Sequence, residues 1–488
     1  MSAVGSILTN QGALNALNSI TATNNLNNSL EQQLSSGLSI NSPADNPAGY
    51  ITAQGFTSQL NGLTQAVSNA NQGVSLLQTA EGALQQQIGV VQQLNSIAVQ
   101  AANGTQSASE SQSLQNVVTQ LTGQVTTIAS QTQFNNISLL DGTFSGVQFQ
   151  VGANEGQTLS LSIGNTSANT IGLNQSSASA AIFGAGKTTG VLTTFAAANA
   201  ATAGAFAAGN VSYTGNNGYT GTITAAANSS AAALATKINN LASKTGVTAQ
   251  ATNSVTLKAT AGTNGFAFKI QGSGSAQTIN ATTVSALAAQ INGQTGTTGI
   301  SATVSTNGAS ISLTQANGKN IVITGVTSGS LSASAQGTSA THNVLKSTAG
   351  SASGVIQGQV EVQSSAAFSV TNGNAIGLSG GSKLTSLADI NVTTTAGADT
   401  AINVVKFALQ GLNNQGGVLG AAQQRLTASI NNLNTSSQNV TSALGVVQDA
   451  NIPQVSNQLT QAQIQAQAGV AALKSSTTLQ QSYLSLLP

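Results

Sequence analysis

The sequence predicts an α+β chain in which long helical N- and C-terminal segments pair as a coiled-coil core and enclose, in sequence, a β-rich variable insertion. Three observations carry that expectation. Apolar residues recur at three-to-four spacing through the first 130 and last 90 residues, the period of one helical face. The stretch 140–395 is instead rich in Gly, Ser, Thr and Asn and carries short alternating runs, the pattern of strands joined by polar turns. Finally, only 4% of the 488 residues are charged and 3% aromatic, against roughly 25% charged in ordinary soluble domains. A chain so poor in bulky groups suits long, thin elements and extensive packing between copies of itself.

The first helical stripe is Leu14, Leu17 and Ile20, resuming at Leu26, Leu30, Leu34 and Leu38. After a turn-rich break a stronger stripe runs Leu77, Ala80, Leu84, Ile88, Val91, Leu94 and Ala98. Asn103-Gly104 marks the next break, and Leu114, Val117, Leu121, Val125 and Ile128 form a third stripe. Near the other end, Ile402, Val405, Leu409 and Leu412 lead into Leu419, Ala422, Leu426, Ile430 and Leu433. Pro453 marks a helix start, and Leu459, Ala462, Ala466, Val470 and Leu473 follow it. The leucine stripes are expected to serve as packing positions within and between subunits.

The insertion contains an internal repeat. Ala-Leu-Ala-Thr-Lys-Ile-Asn (233–239) with Thr-Gly-Val-Thr-Ala (245–249) recurs as Ala-Leu-Ala-Ala-Gln-Ile-Asn (286–292) with Thr-Gly-Ile-Ser-Ala (298–302). The two units, about 231–270 and 284–325, read as a duplicated packing module of short helix, Gly turn and strands.

Charge is segregated. No Lys or Arg precedes Lys187, whereas six acids do; from Lys187 to Lys383 there are eight lysines and one acid, Glu361. No segment has the dense basic patch of a nucleic-acid interface. Cysteine is absent, which excludes thiolate metal sites and Cys nucleophiles. His342, the single histidine, has no partner for a triad or a metal site. Gly184-Ala-Gly-Lys-Thr-Thr imitates the end of a phosphate-binding loop, but position 181, where the first glycine belongs, is Ala, and neither the flanking strand nor the helix is present in the pattern. No catalytic, cofactor or metal residue is therefore assigned. No apolar run is long enough for a spanning helix, and Met1–Asn10 lacks the charged and apolar parts of a secretory signal.

Several segments resemble the bacterial flagellins, subunits of the flagellar filament. LSSGLSINSPADNPAG (34–49), NANQGVSLLQTAEGAL (69–84), TQFNNISLLDG (132–142), LGAAQQRLTASINNL (419–433), LTQAQIQAQAGVAAL (459–473) and the ending YLSLLP (483–488) are similar to family segments and stand in the family's order. The resemblance implies an inner coiled-coil core from 1–45 and 451–488, a helical shell from 46–175 and 396–450, and a solvent-facing variable region over 176–395. It further implies a homopolymer exported unfolded through the flagellar type III apparatus. The implied partners are a chaperone on the C-terminal segment, a filament cap protein and the hook-associated junction proteins. Nucleic acid is not expected as a partner. A hook–filament junction protein and a secreted low-charge adhesin or surface-layer protein are the competing readings.

Departures from the family replace charges by amides and hydroxyls, as at Gln32-Gln33, Ser39, Asn46, Gln72 and Gln133. Such a chain keeps hydrogen bonds whose strength does not depend on pH, which suits an acidic medium; drift toward a low-charge composition gives the same pattern. In the family, the helix segment seen by the animal innate receptor reads Gln-Arg-Val-Arg-Glu-Leu. Here it is degenerate: Gln92, Gln93, Leu94, Asn95, Ser96, Ile97.

Overall fold

The computed structural model describes residues 10–177, 206, 208–226, 229–306, 308–334, 341–346, 352–376, 378 and 380–484. The phosphate-loop-like segment at 184–189 and the closing residues 485–488 lie outside them. Helices among the described residues are α1 (Gln11–Ser36), α2 (Pro47–Ala101), α3 (Ala108–Gln131), the short α4 (Ala231–Asn239), α5 (Ala242–Thr245), α6 (Val284–Gly293) and α7 (Thr295–Thr298), then α8 (Thr395–Gln448) and α9 (Ile452–Leu484). The α+β expectation is met, with helices at both ends and strands between.

Local chemistry sets the helix ends. Asn10 caps α1 by accepting from the Ala13 amide at 2.9 Å, and Gly37, at φ 74°, closes it in the left-handed conformation that glycine adopts without penalty. Pro47 opens α2, where its missing N–H costs nothing. Ser107 and Glu110 form a reciprocal capping box on α3, with Ser107 N donating to Glu110 Oε2 at 2.7 Å.

One sequence expectation needs correction here. The break placed between Leu38 and Leu77 is confined to 37–46, and α2 begins thirty residues before the leucine stripe. Its early buried positions are Ala53, Leu63, Ala66 and Ala70. Apart from Leu63, small residues mark that face, because the helices approach closely: a Cβ on Gly73 would stand 3.0 Å from Leu426 Cδ1.

The chain divides into two compact units. The first comprises Met1–Gln78, Gly146–Ser162 and Gly420–Pro488. Within it α1 and α9 pack antiparallel, and Leu63, Ala66 and Leu433 form a second small core with Val67, Ala153 and Val440. The connectors between helices are stitched together: Ser39 N donates to Gln448 O at 2.7 Å and Ala450 N to Gly37 O at 2.9 Å. These helix breaks fall beside the expected borders at 45/46 and 450/451. The borders between the compact units fall elsewhere, partly inside α2 and α8.

The second unit, Thr79–Ser145 and Ile163–Leu419, has a helical and a β part. Leu84, Val91, Leu94 and Ala98 of α2 are buried, as are Val118, Val125 and Ala129 of α3 and Val404, Val405, Ala408 and Leu412 of α8. Gln87, fully buried, donates to Val125 O at 2.9 Å and Thr166 O at 3.3 Å and so pins α2 to α3. A tight hairpin follows α3, with Asn135 and Asn136 both at positive φ, the geometry of a type I′ turn.

The internal repeat is real and longer than expected. Each unit includes a preceding hairpin, Gly209–Thr214 with Thr220–Ala225 in the first and Phe266–Gln271 with Gln277–Ala281 in the second. The repeated residues are structural. Asn239 clamps Ala249, donating to its carbonyl at 2.9 Å and accepting from its amide at 2.7 Å; Asn292 does the same to Ala302 at 2.8 and 2.7 Å. Gly246 and Gly299 share a left-handed φ, 68° and 69°. Strand Thr248–Thr260 links the modules, pairing its first half with Gln359–Ser364 and its second with Ser310–Gln315.

The carboxylates that are held lean on hydrogen bonds rather than on cations. Asp45 accepts from Ser42 N at 2.8 Å and Asn41 N at 3.0 Å, and these backbone bonds hold its carboxyl below the usual 3.8. Asp141 is lowered from 3.8 chiefly by the Thr143 hydroxyl, and Glu110 from 4.5 by the Ser107 amide. A carboxyl whose folded pKa is depressed stabilises the fold above its unfolded pKa and loses that contribution as pH falls through the folded value. All three groups are exposed, so each loss is small. We expect the denaturant midpoint to be unchanged from pH 7 to about 5 and to decline only below about 4; a steep fall between pH 7 and about 5 would contradict this origin.

Candidate subunit interface

The α1–α9 pair shows what the ends present to a neighbour. Its seam follows a heptad: Ala13, Ala16, Ile20, Thr23, Asn27 and Leu30 on α1 are the less exposed positions, met by Val455, Leu459, Ala462, Ala466, Gly469, Leu473 and Ser476 on α9. The contacts fix an antiparallel register. Leu30 packs with Val455 and Ala462, Gly469 faces Ile20, and Asn10 donates to Gln480 Oε1 at 2.8 Å while accepting from the Ser476 hydroxyl at 3.1 Å. A Cβ on Gly469 would come within 2.8 Å of Ile20 Cγ1, so the seam is narrow and built for small residues. Asn27 places a buried Oδ1 into it with no hydrogen-bond partner among the described residues.

The leucines singled out in the sequence therefore divide in two. Leu30, Leu77, Leu84, Val91, Leu426 and Leu433 are buried within the chain's own units, and Ile88, Ile430, Leu459, Ala466 and Leu473 are half-buried. Leu14, Leu17, Leu26, Leu34 and Val470 remain exposed. Leu14 and Leu17 follow a seam position by one residue and Leu26 precedes one, which turns each out of the narrow seam; Leu34 lies in phase at its open end. Sequence reading missed further members: Ile464 and Leu479 on α9, Ile51 on α2 and Val446 on α8, the last 88% exposed. Their signal was an apolar residue out of phase with its own heptad.

Across the described residues, the exposed large apolar side chains fall in the helical segments or the hairpin after α3, with the single exception of Tyr219. The β-rich part hides most of its large apolar groups in two cores, one per module, with Val322 and Val355 paired apart from both. Of the degenerate receptor segment, Gln92, Gln93 and Ser96 face solvent, Asn95 and Ile97 are half-buried, and Leu94 is buried. Among the described residues no cluster of His, Cys, Asp or Glu could hold a metal, and no helix is long and apolar enough to cross a membrane.

Paired helical ends with apolar strips left uncovered define a class of protein, the self-assembling subunit whose remaining surface is completed by other copies. Sequence comparisons with known proteins agree. The bacterial flagellin N-terminal helical region matches residues 7–145, the C-terminal helical region 402–487, and the flagellin hook IN motif 210–263. B-type flagellin of Pseudomonas aeruginosa is 32% identical over 98% of this chain and 99% of its own length. Flagellin B of Vibrio anguillarum is 28% identical over 96% and 98% respectively. Among solved structures, FliC from Burkholderia pseudomallei covers 72% of this chain and 99% of its own at 20% identity, with a TM-score of 0.29. The chain belongs to the bacterial flagellins. It is a structural subunit that polymerises into the flagellar filament for swimming motility, and it is not an enzyme.

Proposed function

We propose that the exposed apolar strips of α1 and α9, Leu14, Leu17, Leu26 and Leu34 with Ile464, Val470 and Leu479, are the contacts between neighbouring subunits of the filament. The observation that supports this is that, among the described residues, nearly all exposed large apolar groups lie on the helical segments, Ile137 and Tyr219 being the exceptions. Such strips cannot stabilise a lone helix and gain when a partner covers them, so ordering of the ends is linked to assembly. In this reading 1–45 with 451–488 line the inner core, 46–175 with 396–450 form the shell, and 176–395 faces the surroundings of an extracellular filament. Export unfolded through the flagellar apparatus suits a chain with no cysteine to oxidise on the way. A chaperone holding α9, a cap protein at the growing tip and junction proteins at the base complete the set of partners.

The absence of native thiols makes the test clean. Cysteines placed singly at Leu26 and Val470 should react quickly with a maleimide in the monomer and at least about tenfold more slowly in the polymer, as expected of groups moved to a protein–protein core. Equal reactivity in both states would remove these positions from the interface.

We also propose weak activation of the animal innate receptor for flagellin. Gln92, Gln93, Asn95 and Ser96 offer neither the bidentate arginine contacts nor the charged anchor of the family segment. A cell reporter should respond at least about tenfold less than to a flagellin that keeps those charges; full potency would refute the proposal.

A further inference from the structure

Tyr219 is the exception to the burial pattern of the β-rich part: 42% exposed, in a region that hides its other described large apolar side chains. It stands at the tip of the first module's hairpin, and the Lys244 amine lies 5.9 Å from its ring centroid. The tip is rigidly built. Asn217 donates to Lys244 O at 2.7 Å and accepts from Tyr219 N at 3.0 Å; Gly215 N donates to Tyr219 O at 3.1 Å; and Gly218 takes a left-handed φ of 76°.

The second module shows that the fold needs neither side chain. It keeps the Asn clamp, the left-handed Gly and the close approach of a hairpin glycine to the threonine carbonyl, Gly215 to Thr245 and Gly272 to Thr298. At the matching positions it has Ala276 before the second hairpin strand and Thr297 in place of the lysine. A second, independent observation gives the sign of the partner. From Lys187 to Lys383 eight lysines face one acid, and Lys237, Lys244, Lys258, Lys269, Lys319 and Lys383 are all exposed.

We propose that the tip of the first module, Tyr219 with Lys244, docks an acidic polysaccharide: the ring stacks on the apolar face of a sugar, the ammonium meets its carboxylate, and the other exposed lysines of the β-rich part supply long-range attraction. A preorganised platform loses little entropy on binding, and copies repeated along a polymer would multiply a weak contact. Lysine charge without arginine forks favours a diffuse polyanion over a defined phosphate site. The inference rests on the outward placement of the middle only for its effect in filaments; the monomer tests the site itself.

The experiment measures binding of the full-length monomer to immobilised alginate, with neutral dextran and anionic phospholipid vesicles as comparisons, across a salt series. Alginate should bind in a salt-dependent way while dextran does not. Tyr219→Ala should weaken binding about fivefold and Lys244→Gln about threefold, whereas Tyr219→Phe and Lys383→Gln, the latter on another sheet, should change it less than about twofold. Far-UV circular dichroism checks that each variant is folded, and Tyr219→Phe keeps the ring in place should Tyr219→Ala fail to fold. Equal binding to dextran, equal or tighter binding to the vesicles, or a loss with Lys383→Gln matching that with Lys244→Gln would each overturn the proposal.

Discussion

Replacing Leu26 and Val470 together by aspartate is expected to abolish polymerisation and leave the monomer folded. Both side chains are about half exposed, 48% and 55%, so the chain's own units lose almost no buried contact when they change. In the proposed contact the same substitutions would place carboxylates among apolar groups, where an unpaired charge costs several kcal/mol and cations are scarce. α1 carries no Lys or Arg, and α9 carries only Lys474. Because every subunit repeats the defect, the cost enters each addition step. Light scattering after seeding reads polymerisation and far-UV circular dichroism reads the monomer. Normal filaments from the double variant would show that these strips do not carry assembly.

The second large effect concerns a residue on the other side of that division. Leu84→Ala should destabilise the second unit by about 2–5 kcal/mol, the range for emptying a well-packed leucine site. Leu84 is 1% exposed, and α8 approaches it so closely that a Cβ on Gly416 would stand 3.4 Å from its Cδ2. Gly416 offers no side chain to refill the space, and Gln87 one turn on is already committed to two carbonyls. Urea unfolding should show a lower midpoint with little change in slope. A loss under about 1 kcal/mol would mean that α2 and α8 are not packed at this level as described.

Most of the architecture was legible because it is written in periodicity. Leu84, Val91, Leu94 and Ala98 stand at helical spacing and are buried together, and the 53-residue repeat anticipated two modules with matching glycine turns, though not the Asn clamps within them. What escaped was written in small or polar residues. The first half of α2 hides its face behind Ala53, Ala66, Ala70 and Gly73, which carry too little hydrophobicity to stand out as a stripe. The α1–α9 seam mixes Ala, Thr, Asn and Gly with Leu30, Leu459 and Leu473, while Leu14, Leu17, Leu26 and Leu479 lie beside it. Following leucines on α1 therefore finds mainly the exposed strip, with Leu30 the main marker of the seam. The preceding hairpins were missed for another reason: Gly209–Thr214 and Thr220–Ala225 have no counterpart of matching sequence in the second module, only one of matching geometry. The candidate interface was thus half visible. Its exposed members on α1 were named from the sequence, whereas Ile464, Leu479 and Val446 needed coordinates to show that nothing among the described residues covers them.

The same contrast bears on pH. The described carboxylates with shifted titration are held by amides and hydroxyls, and the strips proposed as the subunit contact are apolar. A filament held together in this way should tolerate acid.

Electron microscopy of the purified full-length chain, after addition of short filament seeds or a precipitating salt at pH 7 and again at pH 3, tests the central claim most directly. Long, regular helical filaments at pH 7 that persist at pH 3 are the predicted result. A stable monomer that forms no filaments under either condition would contradict assembly through the uncovered strips of α1 and α9, and filaments that dissolve between pH 7 and pH 3 would show that titrating groups hold the contact.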